Sequence, residues 1–174
     1  MNKSFILIHT ALPIEAKELK KELNLKPISK GLFKNEDIIL IVSGAGKKNA
    51  INALSAIFDK FQIKKAINFG IAGCKSEKIK IGTLFCTTHR LKNIPFSQIT
   101  TVDEPLKDFN KMKTDLVDME SQHFLEISLK HLSKEDIFIF KVVSDYGNFK
   151  GLNNHFINSI LSSNVKKVLK YVQV

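Results

Sequence analysis

Three carboxylates stand where this chain could turn them on a ligand. Two short apolar runs each end on acids: Leu116-Val117-Asp118-Met119-Glu120 and Phe140-Lys141-Val142-Val143-Ser144-Asp145. The third acid, Glu15, follows Ala11-Leu12-Pro13-Ile14. A buried strand that delivers an acid to its C-terminal end is how open α/β sheets build sites. A positioned acid or base is typically worth ~10²–10⁴-fold in rate. Each acid also has a plain structural reading. Glu15 and Glu120 suit the first turn of a helix, and Asp145 can cap the turn Tyr146-Gly147-Asn148.

The elements that must carry these acids follow from periodicity. Residues 4–9 read as a first strand. Pro13 and Glu15 open a helix, continued by Leu19 and Leu23 at i, i+4 spacing. Residues 28–33 and 37–43 read as strands around a polar Lys34-Asn35-Glu36 turn. Ala50, Ile51, Leu54, Ile57, Phe58 and Phe61 make the apolar stripe of a long helix. Ala66-Ile67-Asn68-Phe69-Gly70 is the next strand, running out through Ile71-Ala72-Gly73. Residues 83–87 and 98–102 read as further strands, and 105–112 as unassigned. Helices near 120–132 and 152–171 flank a strand at 137–144. Strands alternating with helices predict an α/β fold with a parallel or mixed sheet. No linker, repeat or low-complexity tract divides residues 1–174, so one domain is expected.

Two glycine-rich turns end strands. Ser43-Gly44-Ala45-Gly46-Lys47 leads into the long helix, where backbone N–H groups could face an anion or polar ligand. Its spacing fits neither G-x-G-x-x-G nor a P-loop. Gly70-Ile71-Ala72-Gly73 would let a ligand approach the backbone, and would equally serve as an ordinary turn.

Composition narrows the classes. An apolar fraction of 44% and a charged fraction of 25% are globular values. No apolar run reaches a membrane span, and the first residues lack the features of a signal peptide, so a cytoplasmic protein is expected. Cys74 and Cys86 form no disulfide or metal framework, and Cys86 reads as a buried free thiol. The five histidines show no metal-ligand spacing; His123 and His131 read as surface or packing residues. The net charge is +10. The lysines are scattered, however, and no nucleic-acid-binding motif accompanies them, so a nucleic-acid partner is not expected.

Five segments occur in an order and spacing that resemble the nucleoside phosphorylase and nucleosidase superfamily. They are Ala11-Leu12-Pro13-Ile14-Glu15-Ala16, Ser43-Gly44-Ala45-Gly46-Lys47, Asn68-Phe69-Gly70-Ile71-Ala72-Gly73, Val117-Asp118-Met119-Glu120-Ser121 and Val143-Ser144-Asp145. The chain is most similar to the hydrolytic branch: methylthioadenosine/adenosylhomocysteine nucleosidases and futalosine hydrolases, in shortened form. The third segment resembles the futalosine hydrolases; the fourth also resembles hopanoid-associated phosphorylases. The resemblance implies a three-layer phosphorylase/hydrolase-like α/β fold, with a central mixed sheet flanked by helices. It implies a small-molecule nucleoside substrate, and no cofactor or metal. Glu15 would activate the attacking water. Glu120 would hold the ribose hydroxyls, with Met119 against the sugar. Asp145, helped by Ser144, would protonate or hydrogen-bond the purine N7 and so ease departure of the base. Leu12, Gly70 and Ile71 would complete the substrate site.

The chain also departs from that pattern. Asn68 and Ile71 stand where phosphorylases carry an arginine and a serine for phosphate. Neither supplies the charged, forked donors phosphate needs, so water is the expected nucleophile. Lys141 replaces an arginine and cannot make the same bidentate contacts. Asp118 is expected to support Glu120 or face solvent. Between the strands near Cys86 and Thr100 only residues 87–98 remain of a longer arm, and the usual base-stacking Phe is replaced around Pro105. Phe96 is a candidate substitute, Asp103 a candidate to face the base, and His89-Arg90 a candidate for the mouth of the site. A phosphorylase with an atypical phosphate site and a catalytically impaired nucleoside-binding protein stay open, as do the 5′ substituent and a homodimer.

Overall fold

The computed structural model describes residues 3–106, 109, 112–147 and 152–172. Asn148 of the turn after Asp145, and residues 107, 108, 110 and 111 of the unassigned stretch, lie outside that set. The run Phe5–Thr10, apolar through Ile8, forms β1 and is buried along its whole length, as a central parallel strand requires. Helix α1 (Pro13–Glu22) follows, with Pro13 in its first turn. Three strands come next: β2 (Lys26–Ser29), β3 (Leu32–Lys34) and β4 (Ile38–Val42). Helix α2 (Lys47–Lys60) leads to the long strand β5 (Ile63–Cys74). Short strands β6 (Leu84–Cys86), β7 (Ile99–Thr101) and β8 (Leu116–Asp118) precede α3 (Ser121–Ser128). Strand β9 (Ile137–Asp145) and helix α4 (Asn154–Val172) follow.

Among the described residues the strands form one mixed sheet, in the order β2-β3-β4-β1-β5-β8-β7, with β9 paired to both β5 and β6. Strand β1 runs parallel to β4 and β5, and β5 parallel to β9. At its far end β5 pairs antiparallel with β8, Gly73 opposite Val117. The C-terminal ends of β1, β5 and β9 therefore converge where β8 ends.

Alternation sorts the sheet residues onto two faces. Ile6, Ile8, Leu40, Ile67, Phe69, Phe140 and Val142 pack with Leu19 of α1 and Leu161, Val165 and Val168 of α4. Leu7, Ile39, Ala66 and Ile139 pack with Leu54, Ile57 and Phe58 of α2 and Phe124 and Ile127 of α3. The molecule is thus three layers, helices on both faces of a mixed sheet, as the resemblance implies.

Two expectations need correction. The run expected as one strand over 28–33 is a hairpin, broken at Gly31, whose φ of +74° lies in the left-handed region. The strand expected from Ala66 and running out through Gly73 begins at Ile63 and reaches Cys74, because β1 pairs with its start and β9 and β8 supply partners for its last residues.

Candidate functional site

A cavity of about 310 Å³ opens at the C-terminal ends of these strands. Its lining brings together Leu12, Glu15, Ile71, Met119, Glu120, Ser144 and Asp145. All three acids singled out in the sequence therefore reach one space. Gly70 does not line it and acts instead by what it lacks.

Glu15 sits at the third position of α1. Its Oε2 accepts the N–H of Ala11 and Leu12, at 2.9 and 2.8 Å, which is the backward half of a capping box. Its Oε1 accepts the Ile71 N–H at 3.0 Å. The carboxylate thus caps its own helix and also bridges to β5. It can lie there because residue 70 is glycine: a Cβ on Gly70 would stand 2.6 Å from Oε1. Burial pushes the Glu15 carboxyl above the usual range. The Lys141 ammonium and the N–H groups of Leu12 and Ile71 oppose that rise, and Glu120 adds to it.

Asp145 closes β9, in register with Gly73 of β5. Its Oδ1 accepts the Gly147 N–H at 2.9 Å, and its Oδ2 lies 2.7 Å from the Ser144 hydroxyl. The turn-capping role read from sequence is present, on a side chain that also lines the cavity. Glu120 stands just before α3 but does not cap it. Its Oε1 reaches across to the Gly46 N–H at 2.8 Å, at the start of α2. The N–H read in sequence as open to an anion is therefore taken by the protein itself.

Capping of α3 falls to Asp118, whose Oδ2 accepts both the N–H and the hydroxyl of Ser121. The Thr101 hydroxyl donates to its Oδ1 at 2.8 Å. Asp118 is buried, which excludes the solvent-facing alternative. Its remaining partner is Lys141, a buried lysine in the middle of β9, with Nζ 2.8 Å from Oδ2. Burial alone would disfavour charge on both groups. For Asp118 the Lys141 ammonium and the hydrogen bonds of Ser121 and Thr101 win, holding the carboxyl below its ordinary range. For Lys141 the surrounding acids, Asp118 first, hold the ammonium above its ordinary range.

A second buried polar chain runs beside this pair. The Asn68 amide meets His9 Nδ1 at 2.7 Å, and His9 Nε2 lies 2.9 Å from Ser43 Oγ. Burial, and then the Lys141 charge, lower the His9 pKa to about 3, so this imidazole is neutral at physiological pH. Asn68, expected at the phosphate position, is thereby committed to His9.

The outer wall of the cavity was not legible in the sequence. It consists of Val102, Pro105, Leu106 and Phe109, with Leu152 and Ile157 on the α4 side. The Phe109 ring lies against the backbone of Gly73 and Gly147, near Asp145. Phe96 does not substitute for a stacking ring; it sits under the Arg90 guanidinium, outside the lining. Asp103 lines a neighbouring groove with Lys47 and Lys48, and lies 3.7 Å from His123. The His89 ring is 2.9 Å from the carbonyl of Ile137, at the opposite end of β9 from Asp145. His131 stacks on Phe58, a packing role, and Cys74 and Cys86 are free and buried. Among the described residues no cluster of His, Cys, Asp and Glu could hold a metal ion.

A three-layer α/β sheet with carboxylates gathered around an apolar cavity at its strand ends is the arrangement in which open α/β sheets commonly hold small molecules. The chain belongs to the phosphorylase superfamily, whose family model matches residues 6–109. A 5′-methylthioadenosine/S-adenosylhomocysteine nucleosidase of Buchnera aphidicola is 36% identical over 66 residues. That stretch is 38% of this chain and only 28% of the relative's length. Among solved structures, the corresponding nucleosidase of Campylobacter jejuni is similar with a TM-score of 0.78 and 19% identity, over 98% of this chain and 100% of that one. Futalosine hydrolase of Helicobacter pylori is similar with a TM-score of 0.81 and 14% identity, over 97% of this chain and 98% of that one. At such identities the structural likeness speaks for the fold alone.

Proposed function

We propose that this chain, acting as a single domain, is a nucleosidase. It hydrolyses the N-glycosidic bond of a purine nucleoside derivative of the methylthioadenosine, adenosylhomocysteine or futalosine type. The observation that carries this reading is the convergence of Glu15, Glu120 and Asp145 on one apolar cavity. Glu15 accepts a proton from water as it attacks the anomeric carbon. Both lone pairs of Oε2 are engaged by backbone N–H groups, whereas Oε1 has one N–H partner and keeps a lone pair for water. Glu120 and Met119 receive the sugar. Asp145, held by Ser144 and the Gly147 N–H, assists the leaving base. The names of the relatives point to the same chemistry.

Water rather than phosphate is the nucleophile in this reading. The described lining carries four carboxylates and no cation. The N–H groups of Gly46 and Ile71 already serve Glu120 and Glu15, and Lys141 is tied to Asp118. A dianion would enter without its charged donors and against like charge. No helix among the described residues is long and apolar enough to cross a membrane. A cytoplasmic setting belongs to the same proposal.

The test is base release from methylthioadenosine, adenosylhomocysteine and futalosine, with and without inorganic phosphate. Free base and free sugar at a rate indifferent to phosphate are expected. A sugar phosphate product would make the chain a phosphorylase. Binding without turnover would make it a nucleoside-binding protein.

A further inference from the structure

Lys141 takes part in none of the steps above, yet it is a fully desolvated cation beside them. In the β5–β9 pair it stands in register with Gly70. Adjacent strands are about 4.8 Å apart, and registered residues of a parallel pair face the same side. Lys141 therefore projects beside the place where residue 70 has no side chain, and the Glu15 carboxylate lies against that same place. The Lys141 stem ends on Asp118 at 2.8 Å. Asp118 cannot yield, because Thr101 and Ser121 hold both its oxygens.

We propose that Lys141 is a positioning residue that acts through Glu15: its ammonium, anchored on Asp118 at the cavity wall, is the fixed counter-charge for the Glu15 carboxylate. This rests on the role given to Glu15 under Proposed function. The groups facing Glu15 are few. Asp118 and Glu120 come from the β8–α3 junction and Asp145 from the end of β9, and all three share its cavity. Among the described residues, Lys141 is the cation that acts on the Glu15 carboxyl. His9 is neutral and cannot stand in for it. A buried carboxylate with acids for neighbours and no cation would hold its proton and could not accept another from water.

The pair makes predictions of opposite sign. Lys141→Met removes the counter-charge, so Glu15 should bind its proton up to a higher pH. Asp118→Asn removes an acid and frees the ammonium to act on Glu15 alone, so Glu15 should release its proton at a lower pH. Lys141→Arg keeps the charge and should leave the Glu15 titration near wild type. The readout is infrared titration of the whole protein, following the carboxylic-acid band that disappears in Glu15→Gln. The acid limb of the pH profile for base release should move in the same directions. A role confined to packing would not give shifts of opposite sign. An unchanged Glu15 band in folded Lys141→Met overturns the proposal. Should that variant fail to fold, an upward or absent shift in Asp118→Asn overturns it instead. Absence of base release from the wild type would end the nucleosidase reading, while the infrared titration would still decide the part played by Lys141.

Discussion

Glu15 and Gly70 are shaped for one another. The carboxylate oxygen occupies the space that any side chain at position 70 would need, 2.6 Å from where its Cβ would stand. The N–H of the very next residue, Ile71, is its hydrogen-bond donor. A glycine that reads in sequence as either a point of ligand approach or an ordinary turn is the seat of the acid assigned, in the proposed function, to water activation.

Gly70→Ala should therefore act on catalysis as well as on folding. The added methyl must push the carboxylate away from Ile71. Misplacing a reacting group by about 1 Å can cost 10²-fold. A drop of about that size in kcat/KM is expected, together with a loss of stability of about 1–3 kcal/mol from overpacking. Steady-state kinetics and urea unfolding on the same sample check both. Unaltered kinetics would mean that Glu15 does not act from this seat.

Asp145→Asn should lower turnover by at least ~10²-fold, the low end for a positioned proton donor. The amide oxygen can still accept the Gly147 N–H, so circular dichroism and the melting profile should stay near wild type. Base release at the wild-type rate in this variant would remove Asp145 from the mechanism.

His9 should govern part of the acid sensitivity. Its folded pKa of about 3 lies far below the ordinary value of 6.5. Between those values the unfolded chain binds a proton that the folded chain refuses, so stability is lost as pH falls from about 6.5 toward 3. The Glu15 carboxyl, shifted upward, works in the opposite sense over the upper part of that window. Asp118, shifted downward, gives up its contribution only as pH falls below the ordinary carboxylate value. His9→Gln should flatten the decline of unfolding free energy between pH 6.5 and 4, measured by urea titrations at several pH values. An identical slope in variant and wild type would show that His9 is not the responsible group.

Phe109→Ala should weaken substrate binding. The ring lies along the cavity wall beside Gly73 and Gly147. An aromatic stacking contact is worth about 0.5–1.5 kcal/mol, so KM should rise several-fold, to about tenfold, with a smaller change in kcat. Titration with the free base gives the same quantity without turnover. An unchanged KM would place the base elsewhere in the cavity.

The elements with strong periodicity were legible without coordinates. The Ala50, Leu54, Ile57 and Phe58 stripe is buried as α2, and the all-apolar run at residues 5–8 is a central strand. The hairpin at Gly31 was hidden because its tight turn interrupts what reads as one strand. The full length of β5 was hidden because Lys64 and Lys65 at one end, and Gly70 and Gly73 at the other, look like boundaries. Partners on both sides carry the strand through them. In the site, Glu15, Glu120 and Asp145 were legible because each belongs to a short motif. The bond from Asp118 to Lys141 was not, since it joins two strands by side-chain geometry that spacing does not encode. A lysine inside the apolar run Phe138-Ile139-Phe140-Lys141-Val142-Val143 was the available signal. Phe109 carried none, because its stretch has no period.

Strand β5 fixes Glu15 through Ile71 and stands in register with Asp145 at Gly73. Those two positions are two residues apart on β5, on either side of the register shift between Ala72 and Gly73. In the roles proposed above, the nucleophile side and the leaving-group side are thus both referred to the backbone of one strand. Changes at Val102, Pro105, Leu106 or Phe109 can remodel which heterocycle is admitted without altering that shared reference. Substrate preference and reaction geometry are free to evolve separately in this scaffold.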